Sequence, residues 1–166
     1  MGLQHFLNVT FSLIREHAKR GTDISHSIAQ AITGEAPRSP HWPTIEKRWK
    51  EGHPDCAACG GSEHVQVHHK ESFKLDPGLE LHDGTDKPPA TPPPDGKPNF
   101  ISLCMGPLEC HLRIGHGGSF RGGGYNPNVA SDSTLALKLV RTMDPRLQEA
   151  ALGEIWDHAK ASRITQ

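Results

Sequence analysis

At 166 residues the chain is long enough for one domain with a sizeable core, but only 34% of it is hydrophobic and 5% aromatic, which is thin for a large apolar interior and points to another source of stability. The formal net charge of −1 lacks the basic excess usual for a nucleic-acid-binding domain, although the twelve histidines can add positive charge close to phosphate. No run reaches transmembrane length, and the opening segment, interrupted by Gln4, His5 and Asn8 and without an early basic region, is not expected to act as a signal peptide, so a cytoplasmic protein with no membrane partner is expected.

In chain order, Leu3, Phe6, Leu7, Phe11, Ile14 and Ala18 are spaced for one face of a helix over roughly residues 3 to 20. Asp23 can cap a second short helix, with Gly34 just past its end. The segment "GEAPRSPHWP" breaks the pattern, and "TIEKRWKEG" predicts a further helix with Thr44 as cap and Gly52 as stop. From Cys56 to Asn128 the chain changes to short strand-like stretches, glycines, cysteines and histidines. Within it "HDGTDKPPATPPPDGKP" cannot be helix or strand interior and reads as a surface loop between two strands. Helix returns at "STLALKLVRTM", which Ser131 or Asp132 can cap. Asp144-Pro145 then opens a last helix, with cap and first-turn proline in their favoured places. The expected organisation is one domain over 1–166: a helical region at 1–52, a Cys/His core at 53–129 with a Pro-rich insertion at 83–98, and C-terminal helices at 130–166. The flanking helices read as packing elements.

"CAAC", Cys56 and Cys59, is a zinc-knuckle half site followed by Gly60-Gly61. The second pair, Cys104 and Cys110, is wider, so "MGPLE" must bulge out between the two ligands. Four thiolates can close a tetrahedral structural Zn²⁺ site with no open position, stapling residue 56 to residue 110. Two disulfides or four free thiols are the alternatives; without a secretion signal, disulfides are the weaker one.

Four of the histidines form an ordered pattern with the cysteines. "VQVHHKESF" ends an apolar–polar alternation on His68 and His69, and on a strand such neighbours point to opposite faces. Taken alone, the pair could be two surface histidines. With "NFISLC", which begins at Asn99, and "CHLRIGH", from Cys110 to His116, the order becomes C-x2-C, HH, N, C-x5-C-H, x4-H. This order resembles the HNH endonucleases, the ββα-metal nucleases, and among them the group in which a zinc-binding cysteine quartet braces the catalytic motif. "RSPHWPTIEKRW", "LELHDG" and "GHGGSFRGGGYNPNV" match the same group, and the resemblance covers about Arg38 to Val129.

The resemblance implies an α+β fold with a small ββα-metal core, strands near 64–71 and 99–103 and a helix near 109–116, flanked by N- and C-terminal helices. It implies that His69 is the general base, that His68 and His111 are metal ligands, and that Asn99 orients the base loop or ligates the metal. His116 matches a further histidine that adds a ligand in some members; otherwise it is a cation at a helix C-terminus. The catalytic cofactor would be a divalent ion, Mg²⁺, Mn²⁺, Ni²⁺, Co²⁺ or Zn²⁺, and the partner DNA. The chain departs from the family in the Pro-rich insertion, the wide second cysteine pair and Lys70-Glu71 after the histidine pair. Lys70, Arg113 and Arg121 are near enough in sequence to contact phosphates, or are ordinary solvated charge.

The chemistry fits these residue types. A neutral imidazole titrates near the working pH and can take a proton from water, while a divalent ion can stabilise charge on a phosphodiester and on its leaving oxygen. The expected activity is metal-dependent endonucleolytic cleavage of DNA, leaving 5′-phosphate and 3′-hydroxyl ends. The rivals are a non-catalytic zinc module that binds nucleic acid or protein, and a nuclease acting on RNA.

Overall fold

The computed structural model describes residues 38–73, 77–81, 83–84 and 97–165. The helices expected near 3–20 and at Asp23 to Gly34, and most of the Pro-rich insertion, lie outside the described residues. The chain divides into two compact units, Met1–Glu46 with Ser72–Asn99 and Lys47–Glu71 with Phe100–Gln166. The division falls inside the first described helix and in the connection between the strands. Among the described residues no helix is long and apolar enough to cross a membrane.

In the first unit, the buried Glu80 carboxylate accepts from the Ser39 amide through both oxygens, at 2.9 and 3.1 Å. Arg38 lies 4.0 Å from the same carboxylate, and its guanidinium covers the rings of Trp42 and Phe73. Glu80 belongs to a short 3-10 turn, Pro77–Leu81. Asn99 is buried, and its amide donates to the Leu79 carbonyl at 3.1 Å.

Helix α1, Trp42–Gly52, starts two residues before the expected cap, so Thr44 lies within it. The reason is local. Ser39 Oγ accepts from the His41 amide, and the His41 carbonyl accepts from the amides of Thr44 and Ile45, so the first turn closes earlier. Gly52 ends the helix as expected. In the second unit Trp49 stacks on His53 at 3.8 Å, meets Phe100 edge-on at 5.5 Å, and donates from Nε1 to Ser102 Oγ at 3.1 Å.

Strands β1, Val65–His69, and β2, Phe100–Cys104, form a two-stranded antiparallel sheet in which Val65 faces Cys104, His68 faces Ile101 and His69 faces Phe100. A turn of π-helix, His111–Gly115, follows in place of a regular helix over 109–116. Helices α2, Val129–Thr142, and α3, Pro145–Ser162, pack on each other and on the π-turn. The core joins Leu103, Ile114, Val129, Ala136, Leu152 and Ile155 to Cys56, Cys104 and Cys110, so the cysteine cluster is part of the hydrophobic interior. The architecture is mixed, with helices around a small sheet.

Helix α3 begins as the sequence implies: Asp144 accepts from the Arg146 amide at 2.9 Å, with Pro145 in the first turn. Helix α2 begins before Ser131 and Asp132, and neither caps it. Ser131 instead donates to the Asn128 carbonyl, while buried Asp132 accepts from Asn126 at 2.7 Å and from His158 Nδ1 at 3.1 Å. Asn126 is fully buried; its amide nitrogen donates to the Gly115 carbonyl, and its side-chain oxygen accepts from the Asn128 amide. It thus joins the π-turn to α2. Asn126→Ala strips a donor from a buried carboxylate and leaves the Asn128 amide without its side-chain acceptor. It is expected to destabilise the protein by about 1–3 kcal/mol, measured by urea unfolding; a change within error would show that solvent replaces both bonds.

Candidate metal centres

The cysteine centre is built from three short pieces. Cys56 and Cys59 sit on a knuckle closed by Gly60 N to Cys56 O and Cys56 N to Gly61 O, both 2.8 Å, with Gly60 at φ +74°. The Ala57 amide donates to the Ser102 carbonyl at 2.8 Å and ties the knuckle to β2. Cys104 is the last residue of β2. The five residues before Cys110 absorb the wide spacing in a turn, Glu109 N donating to Gly106 O at 2.8 Å with Glu109 itself at φ +47°. The four sulfur atoms lie within 4.8 Å of one another.

None of the four cysteines is in a disulfide, and Cys59 and Cys104 approach to 3.5 Å, well beyond the disulfide bond length of about 2.05 Å. Tetrahedral zinc, with Zn–S near 2.3 Å, places sulfurs about 3.8 Å apart, so the cluster fits a metal ion. Hydrogen bonds from Cys110 and then Cys59 pull the Cys56 thiol down from its ordinary range, while the same contact with Cys56 pushes Cys110 up. A first thiolate is thereby stabilised by its neighbours, and a cation replacing their protons satisfies all four.

The second centre is made of His68, His111 and His116, each offering one nitrogen within 4.8 Å of the others. Strand alternation puts Gln66 and His68 on one face of β1 and His69 on the other. His68 meets His111 and His116 ring to ring at 5.1 and 4.8 Å, whereas His69 lies against Phe100 at 5.1 Å. His111 and His116 are five residues apart, which in an α-helix separates them by about 140°, five steps of ~100°. The π-turn removes that separation, the His116 amide donating to the His111 carbonyl at 3.1 Å. Turns of this kind are frequent at functional sites. The wide turn, rather than a helix C-terminus, accounts for the spacing of the two histidines.

The outer nitrogens of two rings are committed. His111 Nδ1 donates to Gln66 Oε1 at 2.7 Å, and His116 Nδ1 donates to the Gly124 carbonyl at 2.7 Å. In the neutral rings both Nε2 atoms therefore carry lone pairs, and they face each other at 3.2 Å. His68 Nε2 is buried without a hydrogen-bond partner. Burial first, then the neighbouring His116, His111 and His69, holds His68 well below the usual imidazole range, and burial followed by Arg163 outweighs the Gly124 bond to lower His116. Neutral rings with converging lone pairs repel one another unless a cation stands among them. Tetrahedral ligands at Zn–N distances of 2.0–2.1 Å are about 3.3 Å apart, so the donor set fits a divalent ion.

His68, His111 and His116 thus come together, with His69 next in the chain on the opposite strand face. Asn99 belongs to the other compact unit, bonded to Leu79. Arg113 lies 3.3 Å from Glu109 and over the Trp156 ring, so its charge already has local partners. Sequence reasoning missed Gln66, whose signal was its place two residues before His68 on the same strand face. It also missed Phe120, half exposed, with its ring against His116 at 4.6 Å and His111 at 5.8 Å. Gly115 has no side chain because a Cβ there would come 3.0 Å from His68 Nδ1. Comparison with protein-family models, with curated proteins and with solved structures finds no match to this chain.

Two outcomes check these centres. Cys59→Ser is expected to lose one zinc per chain by elemental analysis together with cooperative unfolding, since metal binding at such sites is folding free energy; folded, zinc-free parent protein would refute the centre. Gly115→Ala is expected to keep that zinc but to weaken uptake of a second divalent ion, because the His68 ring must shift. Calorimetric titration reads it, and an affinity equal to the parent's would show that the ring position does not matter.

Proposed function

We propose that the chain is a metal-dependent endonuclease of the HNH, or ββα-metal, type that hydrolyses DNA phosphodiester bonds. The observation that carries the reading is the convergence of three imidazoles, each with a ring nitrogen within 4.8 Å of the others, beside a fourth, His69, held on the opposite face of the same strand. In this reading the cysteine quartet holds structural zinc, and His68, His111 and His116 hold a second divalent ion. Three protein ligands leave room for substrate, unlike the closed sulfur site. Such an ion would supply Lewis-acid stabilisation of charge on a phosphodiester and its leaving oxygen. Gln66 and Gly124 fix the ring orientations, so the ligand nitrogens are preorganised. His69 takes the proton from the attacking water at a ring nitrogen, and its contact with Phe100 limits the ring's freedom. Asn99, which the resemblance would make an orienting residue, donates within the first unit to the Leu79 carbonyl.

Supercoiled plasmid incubated with zinc-loaded protein and added Mg²⁺, Mn²⁺, Ni²⁺ or Co²⁺ is expected to be nicked or cut, with EDTA abolishing the reaction. Labelled RNA run beside it identifies the preferred substrate. His69→Ala is expected to lower the rate by about 10²–10⁴-fold while zinc content, fold and DNA affinity stay near the parent, since affinity comes mainly from phosphate contacts. His111→Ala should lose activity together with the second ion. A His69→Ala protein that still nicks at the parental rate, or a parent with no metal-dependent cleavage, would overturn the proposal.

A further inference from the structure

The segment between the π-turn and α2, "GHGGSFRGGGYN", is rich in glycine, and its shape is set from outside. Gly117, Gly118, Gly122 and Gly123 all have positive φ, a backbone region that other residues enter only at a cost. Two glycines are needed for a second reason. A Cβ on Gly117 would stand 2.8 Å from the Ala159 carbonyl oxygen and 2.9 Å from Arg163 Cβ, and a Cβ on Gly124 would overlap the Arg163 guanidinium. The end of α3 therefore fits against the loop, with the Arg163 side chain occupying the space that side chains at 117 and 124 would need.

Arg163 also makes the polar contacts that hold the loop closed. Its Nε donates to the His116 carbonyl at 3.1 Å and its terminal nitrogen to the Arg121 carbonyl. The next residue, Ile164, exchanges two backbone hydrogen bonds with Tyr125, at 3.0 and 2.9 Å. The loop so pinned carries Gly124, whose carbonyl accepts from His116 Nδ1. His116 is thus gripped at its backbone by Arg163 and at its ring by a carbonyl whose position depends on the Arg163 guanidinium.

We propose that Arg163 is a positioning residue of the three-imidazole centre: by clamping the glycine loop it sets the ring orientation and tautomer of His116, and so makes the C-terminal helix part of the metal site. This deepens the metal-centre reading and rests on it. Arg163 touches neither a ligand nitrogen nor, on this account, substrate.

The test uses the full chain with its cysteine zinc in place. Calorimetric titration with Mn²⁺, Co²⁺ or Ni²⁺ is expected to show that Arg163→Ala binds the second ion about 10–100-fold more weakly, the usual cost of losing an outer-shell partner of a metal ligand, with zinc content unchanged. Imidazole nitrogen NMR before the second ion is added gives a metal-free readout: His116 should be purely Nδ1-protonated in the parent and a tautomer mixture in Arg163→Ala, while His111, held by Gln66, stays the same. Gly124→Ala is the second variant, informative even if Arg163→Ala fails to fold. Its backbone, at φ −63°, accepts alanine and keeps the carbonyl, yet the new methyl displaces the guanidinium and should reproduce both effects. Parental affinity and an unchanged His116 tautomer in either folded variant would overturn the proposal. If the parent itself takes no second ion, the metal reading fails, and the tautomer measurement alone then decides whether Arg163 positions His116.

Discussion

The convergence of four sulfur atoms is the constraint on which the rest of the second unit depends. The knuckle carrying Cys56 and Cys59 precedes β1, Cys104 ends β2, and Cys110 stands immediately before His111. One cation at these sulfurs would therefore hold the start of the first strand, the end of the second and the entry to the π-turn. The same cysteines pack with Leu103, Ile114, Val129 and Ile155, so the cysteine cluster and the apolar core are one. A chain that is only 5% aromatic has few large side chains to bury, and a metal staple would supply what those otherwise provide.

The histidine centre has the opposite character. Bringing three imidazoles this close costs free energy in the absence of a cation, and the fold maintains the arrangement with devices drawn from several places. Gln66, two residues before His68 on the same strand, accepts from His111, the π-turn widens one helical turn, Gly115 gives the His68 ring its room, and Gly124 supplies a backbone carbonyl. Each device makes the local structure less regular. Local rules are broken where a site is built, and the regular elements around it, α2 and α3, carry the stability that offsets this.

Elements whose signals are local could be read from the sequence. Asp144-Pro145 marks the start of α3 because cap and first-turn proline act within three residues. The alternation "VQVHH" locates β1, and the paired cysteines foretell their cluster. The start of α2 was misplaced because Asp132, a good cap in isolation, is drawn into bonds with Asn126 and His158, six and twenty-six residues away. The π-turn was not legible, since a five-residue spacing fits neither the helical nor the strand period. Nor was Arg163, whose partners lie more than forty residues earlier in the chain.

Strand register decides which histidine does which job. The side chains of a strand alternate with period two, so a slip of one residue in the pairing of β1 with β2 would send every side chain to the other face. His69 would then stand over His111 and His116, and His68 would turn away. A two-stranded sheet of five residues per strand has little of its own to prevent this. The pairing of Val65 with Cys104 provides the missing constraint. Cys104 at the end of β2 and Cys56 and Cys59 just ahead of β1 bring their sulfurs into one cluster, so both strands are anchored beside this pair, with Ile101 and His68 on the opposite face. The sulfur centre thus does more than stabilise the unit: it selects which of two adjacent and chemically identical side chains joins the imidazole centre and which is left free of that duty on the other face.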